Sequence, residues 1–409
     1  MLFQQIAKEM AKRMLSDDMK IKVRNVAAKY RNREMLQKHA QTQPYQEGAY
    51  PTGINLIGDI SAETGLGQSM RILASIMENG NIPFCVKQVN LHGQLEHNDI
   101  SWKHKLVDSP MYAINVINLI PENWASDYCC LDKDILDKRY NIAYWPWELE
   151  EFPARWVPCI ETVDEIWTPS EFTSNSLQKK TSKPVITVPY IVEAQGHYGR
   201  KYFDLPEEKF LFLMIYDFIS ISERKNPQAV IEAYKKAFPS EEENVGLIIK
   251  VNHGDEKKLT QLREQLRNYK NIYFFTTNMT REEVDSLMDN ANVLVSLHRS
   301  EGFGLPVAEA MSLGKPVIST NWSATAEFTD ETCACPVDYK LIKIEKSVGP
   351  YEKGNYWADA DTSHAASYMR HLWEDEAYVR KIGENAKKYI KENLTYEIAA
   401  NIVKDRLKR

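Results

Sequence analysis

The chain has 409 residues, 43% hydrophobic and 26% charged, which excludes collagen, a disulfide-dense mini-protein and a wholly disordered chain and predicts two or three domains. The formal net charge of −6 is uneven: residues 1–40 hold ten Lys or Arg against four Asp or Glu, so the remainder stands at −12. An acidic body without a basic stripe of interleaved aromatics excludes nucleic acid as a partner.

Residues 1–42 read as a basic helical extension. Leu2, Phe3, Ile6, Met10, Met14 and Leu15 recur at helical spacing among Lys8, Lys12 and Arg13, and Ile21, Val23 and Val26 continue the pattern loosely. Such a helix either lies on an anionic membrane surface or packs on the main body or a partner; both readings stay open. Residues 43–51, with Pro44, Gly48 and Pro51, form a linker. From 52 onward, apolar runs at 54–60, 84–89, 112–119, 142–144, 165–168 and 185–188 alternate with helical stretches such as 68–78, 154–162 and 172–179. That alternation predicts a parallel sheet covered on both faces. A connector at 195–199 precedes a second series, with strands at 210–216, 245–251, 272–275, 293–297 and 316–319. Helices lie between them, including one capped by Thr280 with Glu283 three residues on. Helices then fill most of 365–408. The expected architecture is α/β, with two Rossmann-like doubly wound domains facing across a cleft and an N-terminal helical extension. The divisions are 1–50, 51–195, 196–375 and 376–409, the last being helices that pack back towards the first domain. There is no run of 18 apolar residues and no secretory leader pattern. Cys85, Cys129, Cys130, Cys159, Cys333 and Cys335 lack metal-ligand spacing and read as reduced thiols. The expected setting is cytoplasmic, with contact at the inner face of the membrane as one reading of the extension.

The stretch 298–311, HRSEGFGLPVAEAM, follows a strand and opens a helix. Gly302 and Gly304 let the backbone approach a ligand, and the helix start offers free N–H groups to a phosphate. Glu301 precedes the helix and Glu309 lies about a turn inside it, so the two carboxylates can grip opposite ends of one molecule. A phosphate flanked by two polyol binders points to a sugar–diphosphate–nucleoside. A glycine turn with an N-cap carboxylate is the plainer reading of the same residues.

Glu, seven residues, Glu, set in EGFGLPVAEAM and followed by GKPVIST, resembles the retaining glycosyltransferases of family four, with the GT-B fold. The likeness spans about 52–409 and is strongest over 206–330. It implies transfer of a hexose from a UDP- or GDP-sugar to a glycan or lipid-linked glycan hydroxyl, with retained configuration, no obligatory cofactor and no bound metal. Polysaccharide or lipopolysaccharide assembly in bacteria is the usual setting. By the family pattern, Glu301 contacts the transferred sugar, Phe303, Gly304 and Leu305 run past sugar and phosphate, and Glu309 holds the ribose hydroxyls. Arg224 and Lys225, in SERKNP, match the segment that clamps the diphosphate. The family's upstream arginine is absent, with Phe218 and Ile219 in its zone, and Arg224 or Lys250 is the expected replacement. Gly65 and Gly67 resemble the N-terminal glycine loop, although their spacing fails as a dinucleotide fingerprint. Glu148, in the aromatic run YWPWELEEFP, is a candidate for sugar hydroxyls, and the aromatic faces there either stack on sugars or form core under a loop. No histidine follows the strand ending near 119, and Asn118 or Asn123 is its expected substitute. His298 reads as a structural neighbour of the loop. Ser170 is expected to cap the helix that follows it.

Two other readings stay open: a nucleotide-sugar epimerase or glycan phosphorylase on the same scaffold, and a non-catalytic sugar-nucleotide-binding subunit.

Overall fold

The computed structural model describes residues 17–89, 97–218, 220–252 and 255–408. The apolar pattern at positions 2–15 and the expectation for Ile219 lie outside them. Helix Asp17–His39 carries the rest of the N-terminal extension. It packs on the first domain through fully buried Met35 and through Asn32, whose Nδ2 donates to the Arg155 carbonyl at 2.8 Å.

Two six-stranded sheets follow, both parallel. The first holds β1 (Ile54–Gly58), β2 (Phe84–Gln88), β3 (Ile114–Ile117), β4 (Tyr140–Tyr144), β5 (Glu165–Thr168) and β6 (Val185–Thr187), in the order β2-β1-β3-β4-β5-β6. The second holds β7 (Phe210–Asp217), β8 (Val245–Asn252), β9 (Ile272–Phe275), β10 (Val293–Ser296), β11 (Val317–Thr320) and β12 (Cys335–Val337), in the order β12-β11-β10-β7-β8-β9. Their apolar runs are covered by helices on both faces, and so β1 and nearly all of β8 are buried. Each sheet reverses direction once, between β1 and β3 and between β7 and β10. Crevices at such reversals, beyond the carboxyl ends of the strands, are where open α/β sheets hold ligands.

Some details differ from the sequence reading, among them strand β12, which no expected strand covers. Ala154–Thr162 is a 3-10 helix carrying Pro158, because proline removes the donor a regular α-helix would use there. The strand expected over 112–119 covers only Ile114–Ile117. An antiparallel hairpin, β13 (Tyr339–Lys343) with β14 (Tyr356–Ala360), stands where the sequence reading assigned no element. Its first strand has an intermediate-to-exposed pattern with no clean alternation, so its residues carry little strand signal.

The chain passes between the domains twice. After helix Glu376–Asn393, helix Tyr396–Leu407 returns to the first domain. There Ala400 meets Gly80, at which a Cβ would come within 2.7 Å of the alanine methyl. Arg406 holds buried Glu165 with two hydrogen bonds, of 2.8 and 2.6 Å. All six cysteines are free thiols, and no helix among the described residues is long and apolar enough to cross a membrane.

Candidate functional site

The two strands flanking the reversal of the second sheet deliver the charged residues. Beyond β7, a short turn of helix, Ser222–Lys225, carries Arg224 and Lys225. Beyond β10, the loop 297–304 carries Glu301. The backbone ties the two together: the Arg299 N–H donates to the Arg224 carbonyl at 2.7 Å. Arg224 Nη1 donates to the Ser300 carbonyl at 2.8 Å and lies 3.0 Å from Glu301 Oε2. Lys225 Nζ meets Glu301 Oε1 at 2.5 Å. Arg224 and Glu301 are buried, 6% and 8% exposed.

Burial penalises each of these charges, and their contacts decide the outcome. Burial alone would raise the Glu301 pKa, but Arg224 and Lys225 outweigh it and hold the carboxyl far below the usual range. Burial likewise opposes the Arg224 charge, yet Glu301 and its neighbours lift its pKa above the ordinary arginine value. At Lys225 burial wins and lowers the pKa, with Glu301 compensating in part. One donor is left over: Arg224 Nε has no hydrogen-bond partner among the described residues. A buried, unpaired N–H on a charged guanidinium is costly unless an anion meets it.

Gly304 is the N-cap of helix Leu305–Ser312, at φ +94°. A Cβ there would stand 2.4 Å from the Thr325 methyl, so both backbone angle and space demand glycine. The helix start therefore lies beside Glu301 with no side-chain cap on its N–H groups, a favourable end for an anion. A small cavity there is lined by Lys225, Glu301, Gly304 and Pro306, among others. Phe303 points away into the core, against Tyr190 and Phe328 at ring distances of 5.1 and 5.4 Å. Leu305 is half-buried against the same core.

Glu309 is buried one turn inside the helix. Arg281 Nη1 reaches it at 2.7 Å and also pairs with Asp285. Burial raises the Glu309 pKa, and Arg281 only partly offsets that. Arg281 was missed by the sequence reading. Its legible signals were its place just after the Thr280–Glu283 capping box and its i,i+4 spacing to Asp285.

Lys250 does not join this cluster. Its ammonium, at the carboxyl end of β8, bonds Asn252 Oδ1 at 2.6 Å and the Thr277 carbonyl at 2.9 Å, and burial lowers its pKa to about 8. It organises its own loop, so Arg224 rather than Lys250 stands with Glu301. His298 is fully buried behind the loop, with Nε2 2.8 Å from Thr325 Oγ1, and burial lowers its pKa to about 4.

Across the cleft, Glu148 comes to the site. Its carboxylate lies 3.9 Å from Arg224 Nη2, and its carbonyl accepts from Ser300 Oγ. Ser170, besides capping its helix, donates to the Gly302 carbonyl at 2.7 Å. The aromatic run around Glu148 is not an open sugar platform. Trp145, Trp147 and Trp156 are 0–6% exposed and pack on one another and on Phe152. Gly65 and Gly67 open helix Gly65–Asn79 at the reversal of the first sheet. Gly65 is exposed with open space at its Cβ position, whereas a Cβ on Gly67 would strike the Ala62 carbonyl at 2.0 Å. Asn118, at the end of β3, is buried; its Nδ2 donates to Ser69 Oγ at 2.8 Å while its Oδ1 has no hydrogen-bond partner among the described residues. Among the described residues no group of three or more His, Cys, Asp or Glu is placed to hold a metal ion.

Residues 200–332 match the family model described as Glycosyl transferases group 1. An O-antigen biosynthesis glycosyltransferase of Escherichia coli, WclY, is 29% identical over 134 residues, 33% of this chain and 35% of that protein. The match thus spans about a third of that relative's length. Among solved structures, HepE of Anabaena in complex with UDP-glucose aligns with TM-score 0.58 at 14% identity, over 87% of this chain and 99% of that one. Sucrose-phosphate synthase of Thermosynechococcus elongatus aligns with TM-score 0.63 at 14% identity, over 90% and 98%. WaaG, a glycosyltransferase involved in lipopolysaccharide biosynthesis, aligns with TM-score 0.57 at 15% identity, over 85% and 99%. At these identities the likeness establishes the fold, which is GT-B.

Proposed function

We propose that the chain is a retaining glycosyltransferase that moves a hexose from a UDP- or GDP-sugar to a hydroxyl of a glycan or lipid-linked glycan, without a bound metal. The carrying observation is the grip of Arg224 and Lys225 on buried Glu301 beside the uncapped helix start at Gly304. Two cations, a helix end and a spare Arg224 N–H meet where a diphosphate needs neutralising as it leaves. When the donor binds, its diphosphate takes over part of the cationic field, and Glu301 turns to the sugar hydroxyls. Glu309 receives the ribose hydroxyls in exchange for part of its hold on Arg281. The acceptor then attacks the face from which the diphosphate departs, and a phosphate oxygen takes its proton, so no protein nucleophile is needed. Glu148 stands beside Arg224, and Lys250, Asn118, Gly65 and Gly67 are further candidate substrate contacts by the family pattern.

The matched family and the named relative support bacterial polysaccharide or lipopolysaccharide assembly as the setting. The division at 51–195, 196–375 and 376–409 belongs to this reading, as does peripheral membrane contact through the N-terminal helix. There, Met19, Val23, Val26 and Tyr30 form one helical stripe, 50–69% exposed, on a segment rich in Lys and Arg.

The test is a panel of UDP-, GDP- and ADP-hexoses screened by thermal shift, then product analysis with a glycan acceptor. A sugar nucleotide that stabilises the protein and is transferred with retained configuration is expected. Binding without transfer favours the non-catalytic reading, and the absence of both binding and transfer overturns the proposal.

A further inference from the structure

A larger cavity lies on the far face of the second sheet. Side chains alternate along β7. Leu211 and Leu213 share a cluster with Phe303 and Val307, on the side of the Glu301 loop. Phe212, Met214 and Tyr216 share another with Phe218 and with helices Pro227–Ala237 and Glu256–Gln265, on the opposite side. There, next to the turn Ser222–Lys225, the surface opens into a cavity of about 470 Å³. Small-molecule sites run from about 300 to 1,000 Å³. Of its lining, only Tyr216 also borders the small cavity beside Glu301.

Tyr216, Phe218 and Leu262, each 6% exposed, give this cavity an apolar floor. Its rim is polar. Gln228, Gln261 and Glu223 are exposed there, and Gln228 Nε2 donates to Gln265 Oε1 at 2.7 Å. Three carboxylates, Glu223, Glu232 and Asp359, stand in the lining against two cations, Lys258 and Arg299. Arg299 is held by Asp359 at 2.8 Å, and Lys258 Nζ donates to the Phe218 carbonyl at 3.0 Å. Glu232 in turn has Lys236 at 2.8 Å. That balance disfavours an anion. What the rim offers is carboxamides and a carboxylate, which donate and accept side by side as vicinal hydroxyls do. An apolar floor under such a rim matches the C–H face and the hydroxyl edge of a sugar ring.

We infer that this cavity is a second, non-catalytic site for an uncharged sugar ring, supplied either by a free saccharide or by one unit of a glycan. It backs onto the turn that carries Arg224 and Lys225. Arg299 Nη1 donates to the Glu223 carbonyl at 3.0 Å, and Asn226 Nδ2 donates to the Leu297 carbonyl at 3.0 Å. The site goes beyond the transferase reading and does not depend on it.

The experiment titrates the unaltered full-length protein, Gln261→Tyr and Glu223→Ala with glucose, galactose, N-acetylglucosamine, rhamnose and maltotriose, followed by saturation-transfer NMR. Inorganic phosphate serves as the anionic probe. Gln261→Tyr sets a ring at the exposed mouth. Glu223→Ala removes a rim carboxylate and leaves its carbonyl to Arg299. Both positions are exposed, so melting temperatures are expected to stay within about 2 °C of the parent. At least one neutral sugar is expected to bind, with affinity falling about tenfold in each variant. Tighter binding of maltotriose than of glucose identifies a glycan unit as the source, and equal binding identifies a free saccharide. Three results overturn the inference: no sugar bound by the unaltered protein, a sugar bound equally by all three proteins, or displacement of the sugar by phosphate. Each of them leaves the transferase reading to its own test with sugar nucleotides.

Discussion

Glu301→Gln removes one negative charge from between two cations and changes the side-chain volume little. Removing one partner of a buried ion pair costs about 3–5 kcal/mol, because the other charge stays behind uncompensated. Glutamine keeps a carbonyl oxygen for one of the cations, and the Lys225 side chain is 20% exposed, so the loss should lie at the lower end, about 3 kcal/mol. For a domain of 150–250 residues that is a fall in melting temperature of about 6–12 °C at pH 7. The loss also depends on pH. Glu301 has a folded pKa depressed below its unfolded value of about 4.3. Its contribution is therefore fully present above about pH 4.3 and is lost as pH falls through the folded value. The gap between the two proteins should stay constant from pH 8 to 5 and narrow only below pH 4.3. In turnover, a charged acceptor at the sugar is worth about 1.5–3 kcal/mol, so kcat/KM should drop about 10- to 150-fold. Scanning calorimetry over pH and a radiolabelled sugar-transfer assay read the two effects. A variant that melts with the parent at pH 7 refutes the ion-pair argument, and one that turns over within twofold of the parent refutes the sugar contact.

His298 is fully buried with its pKa lowered from 6.5 to about 4, so it contributes stability above pH 6.5 that is lost as pH falls from 6.5 to 4, about 3 kcal/mol in all. His298→Gln should lack that slope in a melting-temperature scan; equal slopes refute it. Gly304→Ala should cost at least about 1–3 kcal/mol from its φ of +94°, on top of the clash with the Thr325 methyl. Adding Thr325→Ser should recover only the clash, as read by thermal melts; an unchanged melting temperature in the single variant contradicts the turn geometry. Val23→Glu with Val26→Glu replaces two residues 56% and 69% exposed. It should leave the melting temperature unchanged and abolish co-sedimentation with phosphatidylglycerol vesicles. Failure of the parent protein to sediment would remove membrane contact from the reading.

Much of the core was legible because parallel strands buried on both faces must be continuous apolar runs. Phe210–Asp217 and Val245–Asn252 announce themselves in that way. Glu301 was singled out by its place between a strand and a helix start, and Arg224 and Lys225 only through the resemblance to a family; that all three follow the carboxyl ends of strands flanking a reversal shows in the structure alone. Lys250 lies within β8 near its carboxyl end, but that strand stands one place further from the reversal, and its ammonium is spent on Asn252 and Thr277. The burial of Trp147 and Trp156 was one of two readings that the sequence left open. It depends on Tyr351 and Trp357, nearly two hundred residues away, and no local pattern marks a hairpin whose strand Tyr339–Lys343 lacks clean alternation. Arg281 was hidden differently, since a charged residue at a helix start reads as solvated until Glu309 is seen facing it.

The return of the last helix to the first domain has a mechanical consequence. With one link near residues 190–199 and another near 394–396, the lobes cannot twist freely about a single strand of chain and are confined to swinging about the line through both links. Cutting the protein before Tyr396 would strip Glu165 of its arginine and bare the groove beside Gly80. The lobes would then be joined by one crossing of the chain and by the contacts across the cleft, such as Ser170 with the Gly302 carbonyl and Ser300 with the Glu148 carbonyl.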